Sequence, residues 1–168
     1  MLLWYCNPME LLTTIGRVEK VGLPQLSIFK VPAKVDTGAD ACSIWAHKVD
    51  DDGDNLDVVF FGPDSPHYDG QVHTFTYDQY TITRISNSFG HREIRYKLKL
   101  KIRIKGKLIN GTFTLSDRST KLYPILIGRS LLRRKFIVDV SKGSPMIAAE
   151  AKRRATLHEE IIQLKGEK

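Results

Sequence analysis

The sequence predicts a mostly β domain followed by a C-terminal helix, and three features carry that expectation. Tyr96, Leu98, Leu100, Ile102 and Ile104 alternate with Arg95, Lys97, Lys99, Lys101, Arg103 and Lys105, the period of two that a strand with one apolar and one cationic face requires. Shorter apolar runs on either side are cut by Gly, Pro and Asp clusters, which act as turn signals. After Gly143-Ser144-Pro145 the character changes, and Met146–Leu164 is rich in Ala, Glu, Lys, Arg and Leu, all residues that favour helix. At 168 residues the chain suits one domain with a decorated terminus.

The elements follow in order. Ile28–Val35 reads as a short apolar strand broken by Pro32, and it delivers Asp36. Gly38 turns the chain, and Ser43–Val49 resumes as a strand. Asp50-Asp51-Asp52-Gly53-Asp54 is a turn, Leu56–Phe61 the next strand, and Gly62 to Gly70 a loop. Val72–Ser86, rich in Thr and Tyr, reads as one strand. Asn87-Ser88-Phe89-Gly90 has turn chemistry. The basic strand then turns at Gly106-Lys107 into Ile109, Gly111, Phe113 and Leu115, completing a hairpin. Tyr123–Ile127 is a short apolar strand ending at Gly128, Ser130–Lys135 one or two helical turns, and Phe136–Val140 a last strand. Ser144 is the candidate N-cap of the terminal helix, with Pro145 in its first turn. These limits divide the chain into an N-terminal extension (1–12), a β domain (13–143) and a C-terminal helix (144–168).

Composition narrows the class. Hydrophobic residues make up 42% and charged residues 27%, as in ordinary globular proteins. No apolar run approaches the ~20 residues of a membrane span, so no membrane partner is expected. The first eight residues have no basic n-region and only a short apolar stretch, unlike a signal peptide. Met9 is a second candidate start, and residues 1–8 are set aside from fold reasoning. Two cysteines, Cys6 and Cys42, do not make a disulfide scaffold. A reducing, cytoplasmic setting is the simpler expectation, with Cys42 a small buried hydrophobe rather than a nucleophile. The net charge of +7 is uneven: Val49 to Thr83 holds eight aspartates and no Lys or Arg, whereas Arg84 to Lys107 holds nine Lys/Arg against Glu93 alone. Such asymmetry orients an acidic substrate or a second subunit, or simply keeps a strand edge solvated.

The chemistry concentrates at Val35-Asp36-Thr37-Gly38-Ala39. Gly38 allows a tight turn, the Thr37 hydroxyl is suited to holding the loop, and Asp36 then points out of an apolar wall. One carboxylate is a weak catalyst of amide hydrolysis. Two held close cannot both ionise and so share a proton; the ionised member acts as base on water and the protonated one as acid. Only one Asp-Thr/Ser-Gly occurs, and Asp117 and Asp139 lack the following Gly. A two-fold homodimer would bring in the second aspartate, because an isologous axis pairs identical residues.

Val35-Asp36-Thr37-Gly38-Ala39-Asp40 together with Ile125-Leu126-Ile127-Gly128-Arg129-Ser130-Leu131-Leu132 resembles the retropepsins, the single-lobe dimeric aspartic proteases. The resemblance is closer to a bacterial branch labelled ATP-dependent zinc proteases, or retropepsin-like proteins associated with RimK-type glutamate ligases. Ile15-Gly16-Arg17, Val21-Gly22-Leu23-Pro24, Ala33-Lys34, Gly90-His91 and Leu115-Ser116-Asp117-Arg118-Ser119 carry that match, which spans roughly residues 13–142. The run Asp40-Ala41-Cys42-Ser43-Ile44-Trp45 and the loop from Gly62 to Gly70 depart from the branch.

The resemblance implies an all-β, single-lobe retropepsin-like acid-protease barrel with a C-terminal helix. It makes Asp36 catalytic, with Thr37 and Gly38 completing its loop, and Ile127, Gly128 and Arg129 the structural support behind it. It implies an Asp40–Arg129 ion pair joining the two motifs. Ala39, Asp40, Phe89 and Arg118 are the candidate substrate contacts: Phe89 at the tip of a hairpin flap, Arg118 as a bidentate partner for a substrate carboxylate or, equally, a structural ion-pairing group. The branch label implies zinc and ATP, yet there is no His-Glu-x-x-His, His67 and His73 lack fitting partners for a zinc site, and no phosphate loop is present. No metal and no cofactor are expected.

The reading is an aspartic endopeptidase working as a homodimer on peptide or protein substrates, with acidic or glutamylated peptides suggested by the ligase association. The alternative is a catalytically inactive dimeric module of the same fold that holds a peptide strand by backbone pairing. Nucleic-acid binding through the cationic face is disfavoured, because the interleaved aromatics of stacking platforms are missing.

Overall fold

The computed structural model describes residues 12–86 and 92–166. The strands are β1 (Thr13–Ile15), β2 (Val18–Leu23), β3 (Ile28–Val35), β4 (Cys42–Asp51), β5 (Asn55–Phe60), β6 (Val72–Thr76), β7 (Tyr80–Ser86), β8 (Arg92–Ile104), β9 (Lys107–Ser116), β10 (Ile125–Ile127) and β11 (Phe136–Val138); the helices are α1 (Arg129–Leu132) and α2 (Ile147–Gly166). Six strands, β10-β3-β2-β8-β9-β4, close on themselves through a β10–β4 pairing. The result is the single-lobe barrel with a C-terminal helix that the sequence led us to expect. β5 and β6 extend from β4, β7 pairs with the start of β8, and β1 and β11 form a separate parallel pair.

The alternation in β8 builds the barrel wall. Leu98, Leu100, Ile102 and Ile104 are buried, and Lys99, Lys101 and Arg103 are exposed. Phe113 and Leu115 of β9 join them in the core. Ile104 pairs with Lys107, so the turn is Lys105-Gly106, both at positive φ (47° and 81°), as a two-residue hairpin demands.

Several local expectations change. Val72–Ser86 is two strands, because Asp78 and Gln79 fold a turn back onto Thr76: Thr76 Oγ1 lies 2.6 Å from Asp78 Oδ1, and the Gln79 amide donates to the Thr76 carbonyl at 2.8 Å. Asp50 and Asp51 belong to β4 and pair with Asp57 and Leu56, leaving the turn to Asp52–Asp54. Pro32 does not break β3. It pairs with Lys20 of β2, and β10 joins β3 only from Ala33 onward, so the missing N–H interrupts no ladder on that side. The terminal helix starts at Ile147 rather than beside a Ser144 cap. The Ser144 amide is instead tied to the Val18 carbonyl at 2.8 Å.

β2 had no periodic signal, since Glu19 interrupts its apolar run. That carboxylate is buried but satisfied, accepting from the Gly16 amide at 2.7 Å and lying 3.2 Å from Lys105 Nζ. The helix α2 docks through its first turn, where Glu150 meets Arg17 at 3.2 Å and Tyr123 Oη at 2.6 Å. Beyond Glu150 it is exposed on all sides through Leu164.

Candidate active site

Asp36 follows the last residue of β3 and is half-buried. Its amide donates to the Ile127 carbonyl at 2.9 Å, so the loop starts pinned to β10. Its Oδ1 accepts from the Gly38 amide at 3.0 Å and the Ala39 amide at 3.2 Å. These two backbone donors fix the carboxyl orientation. Asp36 Oδ2 has no hydrogen-bond partner among the described residues. Thr37 does not hold the loop as expected: it is exposed, and its hydroxyl bonds to no described side chain or backbone group. The Asp36 carboxylate does that work itself.

The second motif backs the first. Arg129 N donates to Ala39 O at 2.8 Å and Ser130 N to Asp40 O at 3.0 Å. With its amide on Asp36 and its carbonyl on Arg129, Ala39 has both backbone groups engaged inside the loop. Gly128 passes so close to the loop that an added Cβ would meet the Ala41 carbonyl oxygen at 2.4 Å, which is why only glycine fits there. Its amide points at Cys42 Sγ, 3.3 Å away. Cys42 is fully buried, and burial pushes its thiol pKa up, in keeping with a packed hydrophobe rather than a nucleophile. The expected ion pair forms, with Arg129 Nη2 3.3 Å from Asp40 Oδ1, and both side chains are exposed. Thr37, Asp40 and Arg129 line an open groove of about 700 Å3 together with Arg133 and Phe136.

Arg118 lies just past the end of β9 and is half-buried. Its Nε donates to the Tyr123 carbonyl at 3.1 Å. It pairs with no carboxylate among the described residues, and Asp117 turns instead to the Ser119 amide at 2.8 Å. Burial lowers the Arg118 pKa, the like charge of Arg95 lowers it further, and the Asp36 carboxylate opposes both. Arg118 therefore stands within electrostatic reach of Asp36 and of a second guanidinium. Arg95 is paired with Glu93 at 2.6 Å, while its Nε is buried without a partner. Arg95 was not singled out in the sequence, although it heads the cationic face of β8. The Tyr123–Glu150 link, 27 residues apart, left no sequence signal.

The expected flap is a paired hairpin, with Tyr80 opposite Leu98 through Ser86 opposite Arg92. Its tip, including Phe89, lies outside the described residues. His67 and His73 pack against Phe61 and Phe60, with ring centroids 5.8 and 5.5 Å apart. Among the described residues no three His, Cys, Asp or Glu side chains converge as a zinc site requires.

A closed barrel whose aspartate loop is clamped by an Ile-Gly strand defines a single lobe of the acid-protease fold. A family model described as RimB-like, the retropepsin-like aspartic endopeptidase RimB, matches residues 14–147. The chain belongs to that family. A protein of Desulfotalea psychrophila named "Probable alpha-L-glutamate ligase" is 28% identical over 136 residues, covering 74% of this chain and 27% of that protein. One of the same name from Shewanella pealeana is 27% identical over 139 residues, covering 77% and 29%. The chain thus spans under a third of the length of these curated relatives. The crystal structure of a Legionella pneumophila protein of unknown function shares the fold, with a TM-score of 0.60 and 23% identity over 78% of this chain and 95% of that one. No helix among the described residues is long and apolar enough to cross a membrane.

Proposed function

We propose that this protein is an aspartic endopeptidase that acts as a homodimer, with Asp36 of each chain forming a two-carboxylate dyad. The observation that carries the reading is the clamped Asp36: one oxygen is fixed by two backbone amides and the other is left to meet water. In the dyad one carboxylate removes a proton from water, and the resulting hydroxide bonds to the peptide carbonyl carbon. The other delivers its proton to the carbonyl oxygen. The tetrahedral diol then collapses: one hydroxyl returns its proton to the ionised carboxylate, the C–N bond breaks, and the amine leaves with the proton held by the other, so that the dyad again holds one proton. The reaction calls on side chains and water, with no cofactor. Gly38 gives the loop its turn, Thr37 stands exposed beside Asp36, Ala39 and Asp40 line the path of the peptide, and Phe89 is the contact proposed for the flap.

Acidic or glutamylated peptides are the proposed substrates. Arg118 supports this: it feels the Asp36 charge and pairs with no carboxylate among the described residues, which leaves it as the candidate partner for a substrate carboxylate. The ligase names of the relatives that share this segment also point to glutamate chemistry. The same reading places the protein in the cytoplasm, where the buried Cys42 thiol stays reduced.

The test is hydrolysis of glutamate-rich peptides by wild type and by Asp36→Asn, a change that keeps the shape of the loop. The expected result is a rate loss of about 10²-fold or more with an unaltered unfolding midpoint. Equal cleavage by both would remove Asp36 from the mechanism.

A further inference from the structure

Four separate chain segments send cations into one groove of about 400 Å3 between α2 and the barrel. Arg17, Lys34, Lys121, Arg153 and Arg154 line it, and Glu150 is the lone acid among its lining residues. Glu150 is already neutralised, with the Arg17 guanidinium 3.2 Å from each of its oxygens and Tyr123 Oη 2.6 Å from Oε1. Lys34, Lys121, Arg153 and Arg154 have no ion-pair partner among the described residues. A run of exposed charge on one helix face is ordinarily just solvated. Here the charges come from the β1–β2 bend, β3, the loop before β10 and α2, and they converge on a concave surface, where low-dielectric walls focus the field.

The groove also adjoins the candidate active site. Lys34 and Val35 immediately precede Asp36, and the Tyr123 carbonyl that takes Arg118 Nε belongs to a groove residue. We infer that this groove is a second binding site, which holds a carboxylate-rich stretch of peptide lying beyond the residues at Asp36. A peptide fits better than a nucleic acid. The one aromatic ring in the lining, Tyr123, is buried and its hydroxyl is committed to Glu150, so no face is offered for base stacking. The choice of ligand rests on the acidic-substrate reading above. The role assigned to α2 is to complete the groove, which explains why a helix exposed beyond Glu150 is held at its first turn by both Arg17 and Tyr123.

The experiment measures binding of fluorescently labelled oligoglutamates by anisotropy, using full-length Asp36→Asn so that nothing is cleaved. A long peptide, roughly twelve glutamates, reaches past the Asp36 site, whereas one of roughly four does not. The expected result is about tenfold tighter binding of the long peptide, a difference that shrinks as salt rises. Arg153→Ser with Arg154→Ser should abolish the length dependence and leave the short peptide unaffected. Lys121→Ser, placed on the barrel, should reduce it even if the helix variants disturb docking. An unchanged length dependence in both variants overturns the inference. So does groove-dependent binding of a single-stranded RNA oligonucleotide that outcompetes the peptide, which would make the groove a nucleic-acid site. The readout is the length dependence of binding, with the peptide confirmed intact at the end, whereas the catalytic reading fails on equal hydrolysis by wild type and Asp36→Asn, so the two failures are told apart.

Discussion

The Asp36 amide donates to the Ile127 carbonyl at 2.9 Å, and this bond fastens the aspartate loop to a strand about ninety residues further along the chain. β10 runs parallel to β3 and antiparallel to β4. It therefore sits between the strand that delivers Asp36 and the strand that leaves its loop. Two motifs remote in sequence become one rigid mount.

The tightest part of that mount is Gly128. A methyl group there would drive into the Ala41 carbonyl, which is backbone and has no cheap way to move. Gly128→Ala is expected to cost about 1–3 kcal/mol. In thermal unfolding that is a fall of roughly 2–4 °C for each kcal/mol. Peptide hydrolysis should fall as well, because the displaced segment carries the Asp36 loop. A variant with the wild-type midpoint would mean that the loop yields freely.

The Asp40–Arg129 pair should matter much less for stability. Its side chains are 87% and 58% exposed, and exposed pairs contribute ~0–1 kcal/mol. A double-mutant cycle of Asp40→Ala and Arg129→Ala, read by urea denaturation, should give a coupling under about 1 kcal/mol that vanishes at high salt. The backbone bonds from Arg129 and Ser130 to the loop carry the connection instead.

Docking of α2 should depend on pH. The Tyr123 hydroxyl, and after it Arg17, hold the Glu150 carboxyl below its ordinary pKa. A carboxyl lowered on folding stabilises the native state above its unfolded pKa, and that contribution disappears as pH falls through the folded value. The helix should therefore stay docked at neutral pH and loosen below the ordinary glutamate range, near about 4. Amide exchange over residues 147–157, followed as pH falls, would detect this. Glu150→Gln should show the loosened pattern at every pH, and an unchanged profile would rule the clasp out.

Much of the barrel was legible because its strands follow simple patterns. The alternation from Tyr96 to Lys105 reads directly as β8, and Asp36-Thr37-Gly38 with Ile127-Gly128-Arg129 carries the site. β2 was not legible, since Glu19 is a buried, satisfied carboxylate inside an apolar run. The turn at Tyr77–Gln79 was hidden because it is made by side chains folding onto Thr76 rather than by Gly or Pro. The helix start was misplaced because Ser144, a good cap by type, is used by the barrel. Arg95 and Glu150 join the site region only through tertiary contacts, which no local pattern records.

The central claim is that catalysis needs Asp36 from two chains at once. The most direct measurement mixes wild-type and Asp36→Asn chains, refolds them together and records hydrolysis of a glutamate-rich peptide against the wild-type fraction. If a shared dyad does the chemistry, mixed dimers are inactive and activity falls as the square of that fraction, to about a quarter at an equal mix. A linear fall to about half would mean that each chain works alone and would contradict the dyad.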